Sequence, residues 1–203
     1  MDHPEFLTVN GIPYHVERLL GKGKGGYSYL VTAPEGRRCT LKQIHHEPCD
    51  YYQFGDKLSS ELRDYERLCA VGVPLPELYA VDHAQERLLK EYIEGDTIYH
   101  LVLRDRMNPH YTEQMRTLCR TLYAVGLNID YFPTNFIPRD GTLVYVDYEC
   151  NDYMEQWDFE HWGVKYWSRT EDSSTWTTNA TAIWSSGILN TGASNTGPGR
   201  KNF

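Results

Sequence analysis

Three groups of residues carry chemistry-bearing types at informative spacing. The first is Gly21-Lys22-Gly23-Lys24-Gly25-Gly26, a GxGxxG pattern set between two β-type runs. No helix pattern opens from it, which disfavours the strand–glycine–helix turn of dinucleotide folds. A glycine-rich turn between strands can instead lie over a triphosphate, because no Cβ keeps the backbone N–H groups from the oxygens. A plain flexible hairpin tip is the competing reading. The second group is Lys42, in Cys39-Thr40-Leu41-Lys42-Gln43, with Glu61 further along. A lysine inside a half-buried strand is costly without a partner. Glu61 sits on a helical face with Tyr65 and Leu68 and is the candidate partner; two snorkelling surface charges are the alternative.

The third group is Asn128-Ile129-Asp130-Tyr131-Phe132-Pro133-Thr134-Asn135, followed by Val146-Asp147-Tyr148-Glu149. Asp140-Gly141 between apolar runs marks a hairpin. If these two residues form the loop, Arg139 faces Thr142, Asn135 faces Val146, and Asp147 lies one step beyond, beside Asn135. A carboxamide and a carboxylate converging this way suit a hard, oxygen-coordinated Mg²⁺. Asp130, in the Pro-bent loop, is then the remaining carboxylate, able to accept a hydroxyl proton. Glu149 is a further acidic contributor.

The elements that must position these groups divide the chain in two. Val16–Leu20, Gly26–Ala33 and Arg38–Ile44 are β-type runs, the last two joined by the turn sequence Pro34-Glu35-Gly36-Arg37. This pairing sets Lys42 opposite Tyr29, to within about one residue. Leu58, Leu62, Tyr65, Leu68 and Cys69 recur at helical spacing until Gly72 and Pro74 stop the helix. Pro76–Asp82 and Arg87–Ile93 read as two more strands. Met115, Leu118, Cys119, Leu122 and Val125 form a second helical stripe ending at Gly126, with Asn108 or Thr112 as N-cap. The aromatic-rich stretch Glu155–Trp167 reads as a last amphipathic helix, with Phe159, Trp162 and Trp167 sealing the second half.

The chain has 203 residues, 40% hydrophobic and 24% charged, the composition of a soluble globular domain or two small lobes. Twenty Lys and Arg against 28 Asp and Glu give a net charge of −8, which argues against a nucleic-acid binder that tracks the backbone. No apolar run is long enough for a membrane span. Five scattered cysteines, none in a CxxC pair, read as reduced cytosolic thiols, small and buried. His45-His46-Glu47-Pro48-Cys49 resembles a metal cluster, but no second ligand group supports it. From Ser173 to Gly199 the chain is uncharged and dominated by Ser, Thr, Asn and Gly, a composition expected to stay disordered.

Taken in order, Gly21-x-Gly23-x-x-Gly26, Lys42, Glu61, Asp130-x-x-Pro133-x-Asn135 and Asp147-Tyr148-Glu149 resemble the motifs of the protein-kinase-like superfamily. The likeness is greater to its RIO, aminoglycoside-phosphotransferase and choline-kinase branches than to eukaryotic kinases, and covers about residues 12–167. The resemblance implies an α+β, two-lobed fold: an antiparallel β-sheet N-lobe with one helix over 1–93, a reduced helical C-lobe over 94–170, and a low-complexity tail over 171–203. It implies ATP and Mg²⁺ as cofactors. Gly21, Gly23 and Gly26 would cover the phosphates, Lys42 would contact them with Glu61 orienting it, and Asp130 would be the catalytic base. Asn135 and Asp147 would be the metal ligands. Glu91-Tyr92-Ile93 would offer its backbone to the adenine edge, and Ile137 would pack under the base.

The sequence departs from the family pattern at several points. Asn128-Ile129 stands for the usual His-Arg before the catalytic Asp, and Phe132 for a basic residue after it. Ser28 and Thr40 stand where small apolar residues normally sandwich adenine. The expectation is a cytoplasmic phosphotransferase acting on a hydroxyl acceptor, with protein Ser/Thr or autophosphorylation favoured. The alternatives are a nucleotide-binding pseudokinase serving as an interaction module and a small-molecule kinase. Neither nucleic acid nor membrane is an expected partner.

Overall fold

The computed structural model describes residues 4–23, 25–47 and 56–168. The low-complexity tail, Lys24, Cys49 and the Tyr51-Tyr52 pair lie outside these residues. The first half is a six-stranded antiparallel sheet built from β1 (Phe6–Val9), β2 (Ile12–Lys22), β3 (Gly26–Thr32), β4 (Arg38–Ile44), β5 (Leu78–Asp82) and β6 (Arg87–Glu91). The strand order is β1-β2-β3-β4-β6-β5. One helix, α1 (Lys57–Val71), lies between β4 and β5 in sequence. The fold is α+β and two-lobed, a curled antiparallel sheet with one helix above a smaller, mainly helical lobe.

Strand periodicity decides which side chains meet. On β4, Cys39 and Leu41 point to one face and join a core with Val16, Val31 and Leu89. Thr40, Lys42 and Ile44 therefore point to the other face. There Ile44, Leu88 and Leu58 of α1 form a small cluster. Register follows the sequence reading to within one residue: Lys42 pairs with Ser28, next to Tyr29, and with Leu88 on its other side.

Asp56 caps α1, its carboxylate accepting the Ser59 amide at 2.9 Å. Gly72, at φ +79°, ends the helix in a left-handed turn. Leu58 near the start of α1 packs on the sheet, while Leu68 near its end belongs to the lower core with Met115, Phe136 and Trp167. The helix thus spans the seam between the lobes, with Glu61 in between.

The second half contains α2 (Ile98–Leu103), α3 (Pro109–Ala124), β7 (Leu127–Ile129), the hairpin β8 (Phe136–Arg139) and β9 (Thr142–Tyr145), and β10 (Cys150–Asp152), which pairs with β7. Asn108 caps α3, whose first residue is Pro109. The hairpin has the expected register: Arg139 faces Thr142, Phe136 faces Tyr145, and the Val146 amide donates to the Asn135 carbonyl at 2.8 Å.

Glu155–Trp167 is not a continuous α-helix. It is a 3-10 turn (Glu155–Trp157), a π turn (Phe159–Gly163) and a second 3-10 turn (Val164–Tyr166). The Gly163 amide reaches back five residues to the Asp158 carbonyl. This wide turn brings Gly163 against the Tyr131 ring stem, where a Cβ would collide. Phe159 and Trp167 are buried and close the lower core, whereas Trp162 is only half-buried at its edge. The Trp167 indole N–H donates to the Tyr131 carbonyl at 2.8 Å, so this segment braces the loop that carries Asp130.

Glycines of the first loop differ in what they do. A Cβ on Gly26 would collide with the Gln43 carbonyl oxygen and stand 3.3 Å from the Ile44 Cα, whereas one on Gly21 would meet nothing within 4 Å. Gly26→Ala should therefore destabilise the protein by about 1–3 kcal/mol, and Gly21→Ala by less than about 0.5 kcal/mol. Urea unfolding of the two variants checks this.

Candidate active site

Lys42 leaves β4 toward α1 and ends between two carboxylates. Its Nζ lies 2.8 Å from Glu61 and 3.5 Å from Asp147 Oδ1. The side chains are 13% exposed for Lys42, 9% for Glu61 and 30% for Asp147. These are partnered, not snorkelling, charges. Burial alone would pull the Lys42 pKa down, but the Glu61 and Asp147 carboxylates outweigh it and hold the pKa above the ordinary lysine value. Burial likewise opposes the charge on Asp147, and the Lys42 and Lys90 ammonium groups overcome that, holding its pKa below the ordinary carboxylate value.

Asp147 follows β9 directly. Its Oδ1 accepts the Tyr148 amide at 2.8 Å, which anchors that oxygen to the backbone. Across the hairpin, the Asn135 side-chain nitrogen donates to the Asp130 carbonyl at 3.4 Å, which leaves the carboxamide oxygen as the ligand atom. Asp130 Oδ1 accepts the Phe132 amide at 3.1 Å, holding the loop in a tight turn. The donor set is therefore one carboxylate and one carboxamide oxygen on a shared hairpin end, the hard-oxygen chemistry that fits Mg²⁺.

The glycine turn passes over this group. A Cβ on Gly25 would stand 3.7 Å from the Lys42 Nζ. His45 Nε2 meets the Gly23 carbonyl at 3.0 Å, and Lys22 pairs with Glu47 at 2.7 Å. His46 pairs with Glu86. The histidines thus tie the glycine turn and the sheet edge, and no group of three metal-ligating side chains is found among the described residues. Glu91 ends β6 and Ile93 is buried. The strap that follows lies on β8: a Cβ on Gly95 would come 3.2 Å from Ile137 Cγ2, and Arg139 pairs with Glu91. The structure therefore joins Lys42, Glu61 and Asp147 directly, ties Asn135 to the Asp130 carbonyl and to Val146 beside Asp147, and sets Ile137 against Gly95, just after 91–93. Gly21 is near the end of β2, Gly23 is in the turn, and Gly26 begins β3.

Two residues escaped the sequence reading. Tyr145 is fully buried, and its hydroxyl donates to the Glu149 carbonyl at 2.9 Å and accepts the Asp130 amide at 3.4 Å. It joins the loop of the candidate base to the segment of the candidate metal ligand. Lys90, 4% exposed, points to the same sheet face as Lys42 and donates to the Val146 carbonyl at 2.7 Å. The signal for Lys90 was present: it sits in the run Leu88-Leu89-Lys90, where a strand lysine demands a partner as Lys42 does. Cys39, Cys119 and Cys150 are buried as expected, but Cys69 is exposed.

No family model matches the chain. A sequence relative is the EKC/KEOPS complex subunit bud32 of Dictyostelium discoideum, 24% identical over 145 residues, which span 64% of this chain and 57% of that protein. Among solved structures, a crystal structure of the BubR1 kinase domain aligns with a TM-score of 0.53 at 18% identity, covering 76% of this chain and 53% of that one. The sequence likeness and the shared fold together support a place in the protein-kinase-like superfamily. It spans just over half the length of the relatives it matches. No helix among the described residues is long and apolar enough to cross a membrane.

The pKa of Lys90 gives the site a measurable signature. Burial first, and then the Lys42 charge, lower it to about 8, against about 10.4 in an unfolded chain. Between these values the unfolded state binds more protons, so this group makes stability rise with pH. The unfolding free energy of the native protein relative to Lys90→Met should increase from about pH 8 to about pH 10, by at most ~1.4 kcal/mol per pH unit. Denaturant unfolding of both proteins across that range checks it.

Proposed function

We propose that the protein is a phosphotransferase that binds Mg·ATP between its lobes and transfers the γ-phosphoryl group to a hydroxyl acceptor. The observation that carries this reading is the convergence of Lys42, Glu61 and Asp147 at 2.8 and 3.5 Å above the Asn135–Asp130 loop. In this reading Lys42, kept charged and aimed by Glu61, binds the triphosphate, and Gly21, Gly23 and Gly26 cover it. The backbone of 91–93 and the side chain of Ile137 hold the base. Asn135 and Asp147 hold Mg²⁺, which when bound neutralises charge on the transferring phosphates. Asp130 accepts the acceptor's proton as its oxygen bonds to the γ-phosphorus and the bond to the ADP oxygen breaks. A protein Ser or Thr, including one on this chain, is the favoured acceptor, and a small alcohol is the alternative. The bud32 relative is named as a subunit of a complex, which supports a protein partner.

A second reading, a nucleotide-binding module without turnover, is favoured by one observation. Phe132 occupies the loop position where a cation would offset γ-phosphate charge, and its ring packs on Tyr166 at 5.5 Å. The candidate base is nonetheless held in place, which a module would not need.

At about ten times Kd, Mg·ATP should stabilise the protein by ~1.4 kcal/mol, a thermal shift of roughly 3–6 °C. Asp147→Asn should abolish that shift. Asp130→Ala should keep it and lower phosphoryl transfer from [γ-³²P]ATP by about 10²–10⁴-fold. A shift with no transfer to any acceptor by the native protein supports the module instead.

A further inference from the structure

Lys90 stands on the sheet face that carries the site, paired through the backbone with Thr40 of β4 and Leu78 of β5. Its ammonium is buried, and no carboxylate among the described residues is in ion-pair contact with it. It has the Val146 carbonyl at 2.7 Å and the face of the Tyr148 ring at 4.3 Å. The charges it faces are Lys42, which opposes it, and Glu61 and Asp147, which support it. A buried ammonium in contact with a carbonyl and an aromatic ring, and without an ion pair among the described residues, is an expensive way to fill space. Methionine has nearly the same length and no charge to desolvate.

What the ammonium holds is the peptide just before Asp147. The Val146 amide donates to the Asn135 carbonyl at 2.8 Å, while its carbonyl receives Lys90. The neighbouring residues are tied as well, the Tyr145 amide to the Pro74 carbonyl at 2.9 Å and the Tyr148 hydroxyl to the Pro76 carbonyl at 2.6 Å. Lys90 is the side chain that fixes the 146–147 peptide plane from above, and that plane sets the direction of the Asp147 carboxylate. We propose that Lys90 is a positioning residue of the site, a buried clamp on the Val146 carbonyl that orients Asp147 toward the metal ion. This rests on the Mg·ATP reading above.

The test compares the native protein with Lys90→Met and Lys90→Gln, the second keeping an N–H donor for the carbonyl. Nucleotide affinity is measured by calorimetry in Mg²⁺ and in EDTA. In Lys90→Met the Mg²⁺-dependent gain in ATP affinity should fall by about tenfold or more, with the affinity in EDTA unchanged within about twofold. Lys90→Gln should recover most of the gain. An intact gain in Lys90→Met, or an equal loss with and without Mg²⁺, overturns the proposal. If the native protein binds no nucleotide, the Mg·ATP reading fails separately. The clamp is then tested on the metal-free protein, where the Asp147 and Tyr148 backbone amide NMR signals should move or broaden in Lys90→Met and return in Lys90→Gln. Unmoved signals in Lys90→Met overturn it.

Discussion

An ammonium in the middle of a sheet strand constrains everything around it. Lys42 cannot sit on the inner face of β4 unless carboxylates meet it there, since an uncompensated buried charge costs several kcal/mol. One carboxylate comes from α1 and the other from the end of the β8–β9 hairpin. The helix must therefore lie across the sheet with Glu61 inward, and the hairpin must reach up from the second lobe. Leu58 and Leu68 make the first condition cheap, because the same helical face buries against the sheet at one end and the lower core at the other.

The second condition is met by a short stretch of backbone. Residues 145–148 are tied to the α1–β5 link by the Tyr145 amide and the Tyr148 hydroxyl, to β6 by Lys90, and to Asn135 by the Val146 amide. Tyr148 also packs its ring on Tyr65 of α1 at 4.5 Å. The consequence is that the candidate metal ligand is fixed by both lobes at once. Such preorganisation suits chemistry that depends on positioning and on charge more than on covalent steps.

Much of this was legible in the sequence for identifiable reasons. Period-two alternation and the Pro34–Arg37 turn placed Lys42 within a residue of its observed pairing, and Asp140-Gly141 fixed the register that brings Asn135 opposite Val146. These are local rules. What escaped is either short or tertiary. Strand β1 has four residues and an exposed Phe6, and α2 has six, too few for periodicity to speak. Glu155–Trp167 carries apolar residues at helical spacing, yet the close approach of Gly163 to Tyr131 and the wide turn at Asp158 override that pattern. That the Tyr145 hydroxyl bridges two backbone segments inside the lobe depends on where Glu149 and Asp130 come together in space.

The central claim is that Asn135 and Asp147 share one cation beside a nucleotide held by Lys42. Paramagnetic broadening in ¹⁵N NMR spectra, with substoichiometric Mn²⁺ added in the presence of ATP, tests it most directly. The account predicts selective loss of the Asn135 side-chain amide and the Asp147 and Tyr148 backbone amide signals, suppressed by excess Mg²⁺. Broadening centred elsewhere, or none at all, would contradict it.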